Sequence, residues 1–270
     1  MQRKTYRYLT LLMAGSLVLG AIAPSAIAVP LQPVPAQAVS ASRALPWLLG
    51  RRVKQEISKA YKVPVNQLRI TASQPRTWDA CLGLAAPQTV CAQIAISGWQ
   101  VILESPQSRW VYHISSDGKR GGLNQAASVV QSAEPVSIQF LSEEQIVATS
   151  EDDVLFKTVD QGGFAGRTVI TLLTRDGVIS RQQVGPTLRS RPVVVRRLTP
   201  KQLETFLNRM ESTRFNNLKT LRYLPGQPAA DFITTQINFG GAVVEYADFT
   251  QAQLPVTLQQ VIQAWQQVAK

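Results

Sequence analysis

Few side chains in this sequence can drive covalent chemistry. The single histidine, His113, lies in "WVYHISSDG", where it alternates with Trp110 and Tyr112 on an expected strand. No G-x-S-x-G elbow or comparable nucleophile context accompanies it, so it reads as a residue of the sheet surface rather than a general base. One histidine also leaves a zinc site short of ligands, and H-E-x-x-H is absent. The stretches "SEDD" and "SSDGK" do not meet the D-x-D-x-D-G pattern of a calcium loop. Asp231, Glu245 and Asp248, near expected strand ends, offer the remaining route: a carboxylate pair of the kind that cleaves glycosidic bonds. No further polar residues cluster near them. The expectation is a non-enzymatic protein with no catalytic residue, no metal and no cofactor.

The other stretch that invites a chemical reading is "TVDQGGFAGRTV", residues 158 to 169. Its glycines match neither G-x-G-x-x-G nor G-x-x-x-x-G-K-[ST], and they lead into the strand-like "RTVITLL" rather than a helix N-terminus, which excludes a phosphate cradle. Gly162, Gly163, Phe164, Ala165, Gly166 and Arg167 are instead candidate partner-binding residues, with Phe164 as an apolar anchor and Arg167 as its polar neighbour. In the alternative reading the glycines supply positive φ in a turn and Phe164 tucks into the core.

Cys81 and Cys91 are the only cysteines, ten positions apart in "CLGLAAPQTVC". In an oxidising compartment they pair, and closing so short a loop contributes somewhat less than ~3 kcal/mol. An oxidising compartment agrees with the N-terminus. Arg3, Lys4 and Arg7 precede the apolar run "YLTLLMAGSLVLGAIA", and small-residue cleavage patterns follow at Ala26-Ile27-Ala28 and Ala36-Gln37-Ala38. Residues 1–28 are expected to be a cleaved signal peptide, with cleavage as late as 38 as the alternative. The run is shorter than the ~20 apolar residues that span a bilayer. The expected location is therefore an exported space (periplasm, thylakoid lumen or extracellular) with no stable membrane insertion after cleavage. Of the formal charge of +11, Arg3, Lys4 and Arg7 leave with the signal, and the remainder, about +8, favours acidic partners. Its main cluster, Arg181, Arg189, Arg191, Arg196, Arg197 and Lys201, lacks interleaved aromatics and reads as a solvated basic face, not a nucleic-acid site.

Hydrophobic content of 45% supports a buried core. Residues 29–45, rich in Pro, Ala and Ser, read as a flexible lead. Residues 46–120 open with Leu49, Val53, Ile57, Ala60 and Tyr61 at helical spacing and continue as short alternating strands interrupted by the Cys81–Cys91 loop. Trp78, Trp99 and Trp110 are the expected packing anchors. Residues 121–150 lose the pattern and are assigned to a linker: "GGLNQAASVVQSAEPVS" reads as connection, and "SIQFLSEEQIVA" reads as either a strand or a short helix. In 151–270, "DVLFKTV", "GRTVITLLT" and "GVISRQQV" are strands, and Asp176-Gly177 marks a hairpin. Thr199, Pro200 and Gln202 form a capping box at a helix start. A second hairpin turns at Gly240-Gly241, and Leu258, Val261, Ile262, Trp265 and Val268 stripe a closing helix. Strands covered by helices define an α+β class: two small modules, each an antiparallel sheet packed against one or two helices.

The order "QGGFAGRTV", a hairpin, "RRLTPKQLETFL", "PAADFITTQI" and "LPVTLQQVIQAW" resembles the emfourin family, over about residues 154 to 268. Gly162, Gly163, Phe164, Ala165 and Gly166, then Asp231-Phe232, then Leu254-Pro255 carry the likeness. Emfourin-type proteins inhibit thermolysin-like metalloproteases such as protealysin, so the resemblance implies a protein partner of that class. They are stand-alone short chains without export signals, from which this sequence departs. The first module is weakly similar to PepSY domains, found in propeptides of the same protease class. Its "WDACLGL" string resembles that of exported cyanobacterial proteins. The functional expectation is an exported protein that binds, and inhibits, a thermolysin-like metalloprotease. The alternative is an interaction module of the periplasm or thylakoid lumen without inhibitory activity.

Overall fold

The computed structural model describes residues 44–132, 136–147, 152–163, 166–185, 190–227 and 229–270. The expected signal peptide lies outside these residues, as does the lead except for Ala44 and Leu45. Helices and largely antiparallel strands are both present, the α+β class expected.

Leu49, Val53 and Ile57 recur every four residues, and helix α1 (Trp47–Tyr61) buries that stripe. It ends where Lys62 turns left-handed at φ 57°. Strands β1 (Arg69–Trp78), β2 (Ile96–Ser105), β3 (Ser108–Ser115) and β4 (Gly121–Leu123) form an antiparallel sheet in chain order. Register assigns its two faces. Trp99 pairs with Ile114, Val101 with Tyr112 and Leu103 with Trp110, and these six pack against α1. The other face carries the pairs Gln100–His113 and Ile102–Val111.

The second sheet has eight strands in the order β5-β10-β12-β11-β6-β7-β8-β9. They are β5 (Ser137–Phe140), β6 (Val154–Gly162), β7 (Arg167–Thr174), β8 (Val178–Val184), β9 (Val193–Arg197), β10 (Leu221–Leu224), β11 (Ile233–Phe239) and β12 (Ala242–Ala247). The expected hairpins turn at 176–177 and at 240–241. Only β10 and β12 run parallel among the pairs described. β10 enters between β5 and β12 after helix α2 (Pro200–Ser212) has crossed the sheet. The α2 capping box is present: Thr199 Oγ1 accepts from the Gln202 N–H at 3.3 Å, and Gln202 Oε1 accepts from the Thr199 N–H at 2.9 Å. Helix α3 (Val256–Ala269) packs beside α2, and Phe156, Phe206 and Trp265 form an aromatic core between sheet and helices.

That core continues through Tyr223, Ile138, Val136, Val129 and Ala127 to Ile102 and Val111, so the second face of the small sheet is buried as well. The fully buried Tyr223 hydroxyl donates to Ala127 O at 3.0 Å. Residues Ser42–Lys270 form one unit. The stretch 121–150, assigned to a linker, supplies β4 and places Asn124, Ala126, Ala127, Val129 and Val136 in the interior, while β5 takes the strand alternative of "SIQFLSEEQIVA". Its apolar residues are scattered among Gln, Ser and Asn without a period, which is why they read as connection.

Gly98 sits where β2 passes beneath Trp78. A Cβ there would lie 2.3 Å from Ile114 O and 2.8 Å from Trp78 Nε1. The nearer atom is backbone and cannot yield without moving the ladder. Gly98→Ala is expected to cost about 1–3 kcal/mol, read as a lower denaturant midpoint at unchanged slope.

Candidate functional site

The glycine-rich stretch is the turn between β6 and β7, closed by the Gly162–Arg167 pair and by Gly166 N–H donating to Gly163 O at 3.1 Å. Gly162 has φ 110°, and a Cβ on it would lie 2.7 Å from Phe232 O, so both its backbone conformation and its close approach to the next strand require glycine. Gly163 and Gly166 also have positive φ. Gly162, Gly166 and Arg167 are exposed, whereas Phe164 and Ala165 lie outside the described residues.

Beside this turn the register sets Ile233 opposite Gly162. Ile233 is 39% exposed and Phe249 52% exposed, and Phe249 meets Phe232 edge-on with centroids 5.8 Å apart. Asp248 Oδ1 accepts from the Phe249 N–H at 2.8 Å and the Ile233 N–H at 3.3 Å, holding the two apolar residues on one rim. The structure thus joins Gly162, Gly163, Gly166 and Arg167 to a rim of Phe232, Ile233 and Phe249. Sequence reading valued Phe232 only as part of the Asp231-Phe232 family marker, and Phe249 followed an acidic residue at a strand end with no pattern to mark it.

The three carboxylates considered for catalysis have separate environments. Glu245 is buried, 2.7 Å from Arg222 Nη2, with Gln236 Nε2 3.4 Å from its other oxygen. Asp248 holds the rim, and Asp231 is exposed at φ 59°. An ionisable cluster that sequence reading missed lies just inside the rim. Asp160 accepts from Thr235 Oγ1 at 2.7 Å, and burial raises its carboxyl above the usual range despite that bond and the Arg181 charge. Tyr246 is pushed up to about 12, chiefly by burial, with the charges of Asp160 and Asp248 adding to the rise. Asp160 and Thr235 are opposed across β6 and β11, a relation visible only once the register is known.

His113 is buried at 2% exposure, not on the sheet surface as expected, because the cystine loop and the large layer cover that face. Its Nδ1 donates to Leu82 O at 2.8 Å, which leaves Nε2 to accept from Gln100 Nε2 at 3.2 Å and Asn124 Nδ2 at 3.3 Å. Trp78 stacks on the ring at 4.1 Å. The Cys81–Cys91 disulfide closes the loop that carries Leu82. Asp79 with these two sulfurs is the one grouping of possible metal ligands among the described residues, but the sulfurs are bonded to each other and offer no thiolate.

Burial lowers the His113 pKa from 6.5 to about 4, opposed by the Leu82 bond and aided by Arg76. The unfolded chain therefore binds a proton as pH falls below about 6.5, while the folded chain stays neutral. The stabilisation is complete above that value and is lost as pH falls to about 4. Roughly 3 kcal/mol should disappear across this window. Urea unfolding of the parent and of His113→Gln at a series of pH values checks it: the variant should show a shallower pH dependence there.

A family model described as Domain of unknown function (DUF8738) matches residues 51–123, which run from α1 through β4. No curated protein matches the chain. No solved structure matches it.

Proposed function

We propose that this is an exported protein-binding protein that docks through the end of its large sheet, where the 162–167 turn meets Phe232, Ile233 and Phe249. The observation that carries the reading is the exposed Phe249, paired edge-on with Phe232 and anchored by Asp248. Solvated aromatics on a backbone already fixed by hydrogen bonds are the kind of anchor that protein interfaces use, since little ordering remains to be done on binding. Arg167, Asp231 and Asp248 supply a polar border of both signs around this apolar centre.

The resemblance of residues 154 to 268 to emfourin-type inhibitors points to a thermolysin-like metalloprotease as the partner. A blocker of a protease cleft needs a projecting, preorganised element and no reactive group of its own. The rim of Phe232, Ile233 and Phe249, fixed by Asp248, supplies a preorganised surface for such a contact. Without inhibition, the same surface still serves an interaction module.

Titrating the full chain against a panel of thermolysin-like metalloproteases tests the reading. Saturable inhibition at micromolar concentration is expected, and Phe249→Ser should weaken it about thirtyfold, since truncating an interface anchor costs about 2 kcal/mol or more. Folded protein that inhibits none of the panel removes the inhibitor reading. Calorimetric binding without inhibition would favour the interaction module. Equal affinity of Phe249→Ser and the parent would move the docking surface elsewhere.

A further inference from the structure

A cleft of about 280 Å³ opens where the two sheets meet. Arg76 and Trp78 of β1 form one side, Asn216, Asn217 and Lys219 from the turn before β10 form the other, and His113 lies at its base. Two cationic residues therefore line one small space, and among the described residues neither has a carboxylate within ion-pair distance. Arg76 is half-buried: Nη2 donates to Thr220 Oγ1, and the Gln74 side-chain oxygen accepts from Nη2 at 2.8 Å and Nε at 3.2 Å, so among the described residues Nη1 is the guanidinium nitrogen that stays open to the cleft. The one carboxylate lining the cleft, Asp79, directs Oδ1 to the N–H groups of Cys81 and Gly83 at 3.0 and 2.9 Å. The base is neutral, since both His113 nitrogens are already bonded within the protein. Trp78, stacked on His113, gives the cleft a flat aromatic wall.

We infer that this seam binds a small oxyanion, a carboxylate or phosphate group, held between Arg76 and Lys219. A partly desolvated guanidinium without a counter-ion is costly, and an oxyanion that accepts from its open Nη1 supplies a charge-assisted hydrogen bond. The volume suits a ligand of a few heavy atoms rather than a nucleotide. Because Arg76 belongs to the small sheet and Lys219 to the large layer, a bound anion would bridge the two. The cleft is separate from the rim around Phe249 and does not rest on the inhibitor reading.

Isothermal titration calorimetry of the full chain at low ionic strength, with sodium phosphate in one arm and sodium acetate in the other, tests this. Saturable binding is expected in at least one arm. Phosphate alone would assign the site to phosphate-bearing ligands, acetate alone to carboxylates, and both to oxyanions generally. Arg76→Gln should weaken binding about tenfold or more, and the exposed Lys219→Gln severalfold, as expected for lost charge-assisted hydrogen bonds. Phe249→Ser should leave it unchanged. No saturable heat from either salt overturns the proposal, as does unaltered affinity in Lys219→Gln, which decides alone if Arg76→Gln fails to fold.

Discussion

The constraint on which the rest of the molecule depends is the burial of the second face of the small sheet, because that face carries a histidine. Ile102 and Val111 beside it can be covered by any apolar surface, but His113 and Gln100 cannot. A buried polar group left unpaired costs ~1–3 kcal/mol, and a buried charge more. The covering layer must therefore deliver hydrogen-bond partners at fixed places. Two come from the cover, Leu82 O from the cystine loop and Asn124 from the segment after β4, and Gln100 on the adjacent strand of the same face adds a third. Asn124 Nδ2 also donates to Asn217 O at 2.7 Å, which ties the same network to the large layer.

Seen this way, the disulfide and the left-handed residues near it serve one purpose. Leu82 and Gly83 have positive φ, which folds the loop back over the sheet so that a carbonyl reaches His113. Cys81 and Cys91 close that loop with a Cα separation of 5.8 Å, limiting the unfolded loop's freedom. Gly98 leaves room for Trp78, whose ring then covers the imidazole. A short covalent closure, one glycine and one aromatic stack thus keep a histidine neutral between two layers, and the large sheet is stitched to the small one through the residues that do so.

Legibility in the sequence followed the range of the interactions. The helix starts, the hairpin turns and the apolar stripes depend on neighbours within a few residues, and Thr199 with Gln202, Asp176-Gly177 and the Leu258–Trp265 stripe are found where their spacing places them. The parallel pairing of β10 with β12, the burial of His113 and the opposition of Asp160 to Thr235 depend on register between distant strands, which leaves no local mark. The stretch 121–150 shows the difference within one segment. Its composition is that of a connection, yet Ala127 and Val129 are core residues because an aromatic side chain from β10 and two β-strand residues from the small sheet converge on them. The glycines of the 162–167 turn were legible as a turn, whereas Phe249 joins them only through β12 and the register of β11.

The two ends of the large sheet consequently have different physical characters. Toward β5 and β10 its surface is consumed: Tyr223, Thr220 and Asn217 are all hydrogen-bonded across the seam to the small sheet or the segment that follows it. Toward the β6–β7 turn nothing described covers Ile233 and Phe249, and Asp248 spends one carboxylate oxygen holding them in place. Between the two ends Arg222, Glu245 and Gln236 form a polar row across adjacent strands, and Gln236 also bonds Gln145 O and the Val147 N–H at 2.8 Å. A sheet braced on one side and along its middle presents its free end as part of a fixed framework. An apolar rim on such a framework loses little conformational freedom when covered, so its exposed area contributes to association rather than to ordering the surface that makes it.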